Sequence, residues 1–147
     1  MAYKLALTMP GTIRAVAAIV ANQADTAWSD CTEAKVAMPV LIINGTLDGT
    51  NPWEGGEMFV NNASFGVVRS TMGSFKYWSD LAGYTGEPNK QSLPDIDPAD
   101  NKTIESYTYK QKGKPEVTLL KVIGGKHDYP NDIDVYLYAW EFFKRQL

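Results

Sequence analysis

Strands that alternate with helices along the chain predict an α/β fold, a mostly parallel sheet with helices on its faces. Three observations carry that prediction. Residues 40–44 form an apolar run behind Pro39 that closes in the turn pair Asn44-Gly45. Residues 117–123 form a second such run, closed by Gly124-Gly125. Helical periodicity separates and follows them, at 70–81 and at 133–145. Short apolar runs bounded by turn residues read as fully buried strands of a parallel sheet.

The elements follow in order. Residues 2–9 read as a short helix with Leu5 and Met9 on one side, stopped by Pro10-Gly11. The apolar run 14–21, opened by Arg14 and closed by Ala21, reads as another buried strand. Residues 22–37 are polar and irregular, with Trp28 and Cys31 expected to tuck back towards the body. After the strand at 40–44, residues 46–62 read as one long loop, because Asn51-Pro52-Trp53 and Gly55-Gly56 are breaker signals. Along 70–81, Met72, Phe75, Trp78 and Leu81 recur at spacing three, a stripe that reads as core. Gly83 is placed to end that helix. Pro88, Pro94 and Pro98 make 86–101 a surface connection. Residues 104–109 alternate as a strand or an extended edge segment. Asp132 is the expected N-cap of the last helix, with Ile133, Leu137, Trp140 and Phe143 on its buried face.

With 147 residues the chain has the length of a single domain, and 44% hydrophobic against 21% charged residues is an ordinary globular balance. A net charge of −3 with no basic cluster argues against a nucleic-acid partner. No apolar run is long enough to span a membrane. The single Cys31 excludes an internal disulfide; it reads as a small buried hydrophobe or as half of a bridge to something outside the chain. With His127 as the one histidine, no ordinary zinc site can be built, and no metal or other cofactor is expected. Met1 opens directly into helix-forming sequence with no signal segment, so the chain reads as intracellular or as an internal piece of a longer protein.

The chemistry collects where the chain leaves the carboxyl ends of parallel strands. Asp48 follows the first run and its Asn44-Gly45. His127 follows the second run and its Gly124-Gly125. If the strands are neighbours, both loops open on one rim. An aspartate that orients an imidazole and stabilises its protonated form makes two thirds of a nucleophilic triad, and the imidazole then serves as general base and acid. The plainer reading of Asp48 is an Asx-type turn residue at a strand end.

Several pieces occur together in a fixed order: Met1 to Ala6 (Met-Ala-Tyr-Lys-Leu-Ala), Ile13 to Ala18 (Ile-Arg-Ala-Val-Ala-Ala), Ile43 to Asp48 (Ile-Asn-Gly-Thr-Leu-Asp), Ser70-Thr71 with Tyr77-Trp78, and Gly124 to Pro130 (Gly-Gly-Lys-His-Asp-Tyr-Pro). In this order they resemble the C-terminal half of an α/β-hydrolase, and within that fold the poly(3-hydroxybutyrate) depolymerase and feruloyl/acetyl-xylan esterase family. The resemblance implies Asp48 as triad acid, His127 as triad base, and a full-length parent that is secreted or periplasmic. Tyr129 stands where the family usually has an aromatic before proline, and Asp128 departs from the small hydroxyl residue often found there. The family's nucleophile sits in Gly-x-Ser-x-Gly just before the helix matched by 2–9. This chain holds no Gly-x-Ser-x-Gly, so residues 1–147 read as one partial domain, truncated before the nucleophile elbow. Ser64, Ser70, Ser74, Ser79, Thr46 and Thr50 do not lie on the sharp strand-to-helix turn an elbow needs.

The expected function is therefore a serine-type carboxylic-ester hydrolase acting on aryl or polymer esters, with the nucleophilic serine outside the chain. Trp53 and Tyr129 are the expected substrate-binding aromatics. The alternative is a catalytically inert remnant. Either way the strand at 14–21 lacks a neighbour, and homo-oligomerisation through it, or through a swapped N-terminal helix, is expected.

Overall fold

The protein is described by a computed structural model covering residues 1–147. In chain order its elements are α1 (Ala2–Thr8), β1 (Val16–Ile19), β2 (Val40–Gly45), β3 (Gly56–Val60), β4 (Ala63–Val68), α2 (Thr71–Leu81), β5 (Asn89–Ser92), β6 (Thr103–Tyr109), β7 (Val117–Ile123) and α3 (Val135–Lys144). Single 3-10 turns lie at Thr26–Trp28 and Pro98–Asp100.

β2 is buried at every position and anchors a five-stranded sheet of order β1-β2-β7-β6-β5. β1 pairs with it in parallel, Val16 opposite Val40. β7 pairs with its other edge, also in parallel, from Val40 opposite Val117 to Gly45 opposite Val122. β6 then runs antiparallel to β7, and β5 antiparallel to β6. β3 and β4 form a separate two-stranded antiparallel sheet.

This topology overturns the expected fold class. The sheet is mixed, with two parallel and two antiparallel pairings, and not the mostly parallel sheet of an α/β-hydrolase; only three short helices pack on its faces. The reason is connection length. Residues 110–116 join β6 to β7, seven residues with Gly113 in a left-handed turn (φ +82°). A parallel neighbour needs a crossover of roughly a dozen residues or more, so this link enforces an antiparallel pair. The segment 104–109, expected as a strand or an extended edge segment, is a strand interior to the sheet, and the expected surface connection 86–101 contains β5.

Alternation along β2 and β7 builds two cores. Val40, Ile42, Val117 and Leu119 face a cluster with Tyr3, Ala6 and Leu7 of α1 and Phe75 and Trp78 of α2. Leu41, Ile43, Leu120 and Val122 face the opposite cluster with Val135, Ala139 and Phe142 of α3. A fully buried side chain of this kind contributes about 1.5–3 kcal/mol relative to exposure. Ser70 caps α2, its hydroxyl accepting from the Gly73 N–H at 2.9 Å. Gly83 follows that helix in a left-handed conformation (φ +70°).

Several local expectations change. The buried side of α1 is Tyr3, Ala6 and Leu7, and Met9 is exposed. On α2, Met72 is exposed and Thr71 and Ser74 take buried positions. Asp134 caps α3. Asp132 instead accepts the N–H groups of Ile96 and Asp97, tying the two loops together. The buried face of α3 is Val135, Ala139 and Phe142, while Leu137 and Trp140 are 56% and 57% exposed. Apolar and aromatic residues surround this helix on all sides, so periodicity does not single out one face. The expected loop 46–62 contains β3. Asn61 and Asn62 both have positive φ (+50° and +63°), the two-residue hairpin turn that joins β3 to β4.

Candidate functional site

Parallel pairing in register brings the ends of β2 and β7 together, Gly45 beside Val122. The two exits are stitched to each other. Thr46 Oγ1 accepts the Gly124 N–H at 3.0 Å, and the Leu47 N–H donates to Gly125 O at 2.8 Å. A Cβ on Gly45 would run into the carbonyl of Gly125, so no side chain fits there. Gly124 turns with φ +77°, and a Cβ on it would lie 2.6 Å from Asn101 O. The glycines allow the Asp48 loop and the His127 loop to lie in backbone contact.

That contact brings Asp48 and His127 together. His127 Nδ1 lies 2.8 Å from Asp48 Oδ2. The Asp48 side chain is fully buried, whereas that of His127 is 45% exposed. Asp48 Oδ1 accepts two backbone N–H groups, from Thr50 at 2.8 Å and Asn51 at 2.7 Å. A carboxylate is an acceptor only, so the proton in the Asp48–His127 bond belongs to Nδ1. The neutral ring is then the tautomer with a free lone pair on Nε2, and Nε2 has no partner within the chain. A charge-assisted bond of this kind is worth roughly 1.5–3 kcal/mol. Asp48 is thus both a turn residue, through Oδ1, and the orienting partner of the imidazole, through Oδ2.

His127 borders a cleft of about 410 Å³. Thr50, Asn51, Trp28, Met58 and Phe65 are among its other walls. Trp28, expected to tuck inwards, is 60% exposed. Its ring lies against Gly66 of β4, where φ is +92° and a Cβ would come within 2.9 Å of the indole. Phe65 reaches the cleft from the β3–β4 hairpin, which also supplies Met58 to its walls. Three buried side-chain atoms of the cleft lining have no partner within the chain: Oε1 and Nε2 of Gln23, and Asn51 Nδ2. Each such group costs about 1–3 kcal/mol when left unpaired.

Neither expected substrate-binding aromatic lines the cleft. Trp53 packs against the α1/α2 core with Lys121 Nζ 5.6 Å from its ring centroid. Tyr129 stacks edge-on with Tyr136, centroids 5.6 Å apart, and their hydroxyls are bonded. Trp28 and Phe65 stand there instead. The Asn61-Asn62 turn was the available signal for Phe65; no local pattern marks Trp28.

Most hydroxyls considered as nucleophiles are engaged in local structure. Ser70 caps α2, Ser74 donates to Ser70 O, Ser79 donates to Lys76 O, Ser64 accepts from Gly66 N–H, and Thr46 holds Gly124. Thr50 lies on the cleft wall, and no hydroxyl of the chain bonds His127 Nε2. No group of three or more His, Cys, Asp or Glu side chains converges in a metal-binding arrangement. No helix is long and apolar enough to cross a membrane. No protein-family model matches the chain, and no curated protein matches it either.

Proposed function

We propose that Asp48 and His127 are the acid and base of a serine-type carboxylic-ester hydrolase whose nucleophilic hydroxyl reaches Nε2 from outside these 147 residues. The observation that carries the reading is the 2.8 Å bond from His127 Nδ1 to a fully buried carboxylate, with the other ring nitrogen unpartnered beside a cleft. In the reaction, Nε2 takes the hydroxyl proton as the oxygen attacks the ester carbonyl. Asp48 stabilises the imidazolium so formed. The imidazolium returns the proton to the departing alcohol, leaving an acyl ester on the nucleophile. Water, deprotonated by the same nitrogen, then releases the acid. The apolar walls at Trp28, Met58 and Phe65 suit an aryl or hydroxyalkanoate ester, the substrate class implied by the resemblance to depolymerases and feruloyl and acetyl-xylan esterases.

A second reading, an inert domain that acts through assembly, rests on β1. It is one edge of the sheet, and the Val16 N–H donates to Pro39 O, just before β2, and the Val20 N–H to Ile43 O within it. In a parallel ladder the alternate residues, Ala17 and Ile19, therefore turn their N–H and C=O groups outwards, ready for a strand of a second copy. The deciding experiment is p-nitrophenyl acetate hydrolysis by wild type and His127→Ala, with the mass measured in the same buffer. Turnover lost on substitution supports the hydrolase. Equal rates in both proteins would reject it for this chain.

A further inference from the structure

The Asp48 loop is gripped by a residue that no sequence pattern marks. We infer that Asn22 is the positioning residue of the Asp48–His127 pair, an inference that rests on the hydrolase reading for its catalytic meaning but not for its geometry. Asn22 makes four hydrogen bonds. Its N–H donates to Asn51 Oδ1 at 2.8 Å, and its Nδ2 donates to Pro52 O at 2.8 Å. Its Oδ1 accepts from Asn44 Nδ2 at 2.7 Å and from Thr71 Oγ1 at 2.9 Å. Two of these bonds fall on the loop that follows Asp48, one at Asn51, whose own N–H holds Asp48 Oδ1, and one at the next residue, Pro52. The other two fix Asn22 to the end of β2 and the start of α2. Asn22, Asn44, Asn51 and Thr71 are all buried, so these bonds act in low dielectric and away from competing water.

A second observation points to the same residue. Val20, just before it, has φ +46°. A β-branched residue in the left-handed region is a genuine outlier, costing of order 1–3 kcal/mol, and survives only where its surroundings over-determine it. The surroundings here are Asn44, whose side chain accepts from the Ala21 N–H at 2.9 Å and donates to Ala21 O at 3.3 Å. The strained turn carries the chain off β1 and across the end of β2, and so delivers Asn22 to the Asp48 loop. An edge strand with no such duty would leave its sheet without strain.

His127 is the only histidine, so its ring can be read without ambiguity by 15N and 1H NMR. In wild type the Nδ1-protonated tautomer should dominate, with a downfield Nδ1 proton. In Asn22→Ala the Nδ1 proton should lose that shift and the tautomer ratio should move towards Nε2–H. Where turnover is present, kcat should fall roughly tenfold with KM little changed, as expected for a misplaced base. Ser70→Ala, which removes the α2 cap without touching the network, should leave the His127 signals in place. If Asn22→Ala does not fold, Asn51→Ala removes only the acceptor of the Asn22 N–H and should shift the same signals. Unchanged His127 resonances in the folded Asn22 or Asn51 variant, or an equal change in Ser70→Ala, would overturn the inference. Because the NMR readout needs no substrate, a wild type without turnover would reject hydrolysis by this chain alone and leave the test of Asn22 decided by the spectra.

Discussion

Replacing Asp48 separates its two duties. Oδ1 supports the loop through the Thr50 and Asn51 N–H groups, and Oδ2 orients His127. Asp48→Asn keeps an oxygen for the two backbone donors if the amide nitrogen takes the Oδ2 position. That nitrogen then faces His127 Nδ1 donor to donor, so the ring must give up its Nδ1 proton and carry it on Nε2. The base is lost while the loop survives. The expected stability cost is about 1 kcal/mol, one charge-assisted bond exchanged for a neutral one. The expected loss in kcat is of order 10³–10⁴-fold, the scale for a triad acid converted to its amide. Asp48→Ala removes the acceptor from both backbone donors as well, with Asn51 buried, and should cost roughly 2–4 kcal/mol. Urea unfolding measures the stabilities, and 15N NMR of the single histidine measures the tautomer. If Asp48→Asn left His127 in the Nδ1-protonated tautomer, the orienting role assigned to Oδ2 would be wrong. If Asp48→Ala cost less than about 0.5 kcal/mol, the loop role would be wrong too.

Three further outcomes follow from the packing. Burial raises the Glu116 carboxyl, but hydrogen bonds and charge from Arg145 (2.9 Å) and Lys110 (3.0 Å) outweigh it and hold the group below the usual carboxylate range. A depressed folded value means stability that is present above the unfolded value of about 4.3 and lost as pH falls through the folded one, so Glu116→Gln should flatten the urea midpoint between pH 5 and pH 3; a slope equal to wild type would count against the assignment. Gly45→Ala forces a methyl into the Gly125 carbonyl, and should cost about 1–3 kcal/mol and displace the His127 resonances; a neutral effect in thermal unfolding would show that the two loops are not in contact. Ala17→Pro removes an outward N–H that the parallel ladder does not use, so it should leave the fold intact and abolish pairing between copies, read by light scattering at micromolar concentration; a wild type that is already monomeric would refute pairing through β1.

Asp48 and His127 were legible because each follows an apolar strand and a glycine, and a parallel pair in register sets both exits on one rim. Trp28 and Phe65 were not legible, because the first lies in an irregular stretch and the second on a hairpin hidden among breaker residues. Glycine pairs read as loop signals at Gly55-Gly56, yet Gly56 opens β3. The same blindness affected α3, where Leu137 and Trp140 carried the apparent apolar stripe and the sheet took Val135, Ala139 and Phe142 instead.

By itself, then, the sequence determined the buried strands at β2 and β7, most of the helical segments, and the placement of an acid and a base just beyond two glycine turns. These are local properties: burial, turn chemistry and periodicity are written within a few residues of each other. Tertiary structure alone decided that β6 lies inside the sheet and antiparallel to β7, and that Trp28 and not Trp53 walls the cleft. It also decided that Asn22 meets Asn51, 29 positions away, and Thr71, 49 positions away. Which strand pairs with which, and which buried amide finds which partner, depends on the whole chain filling one volume with nearly all of its buried backbone polar groups paired. No window of the sequence contains that constraint.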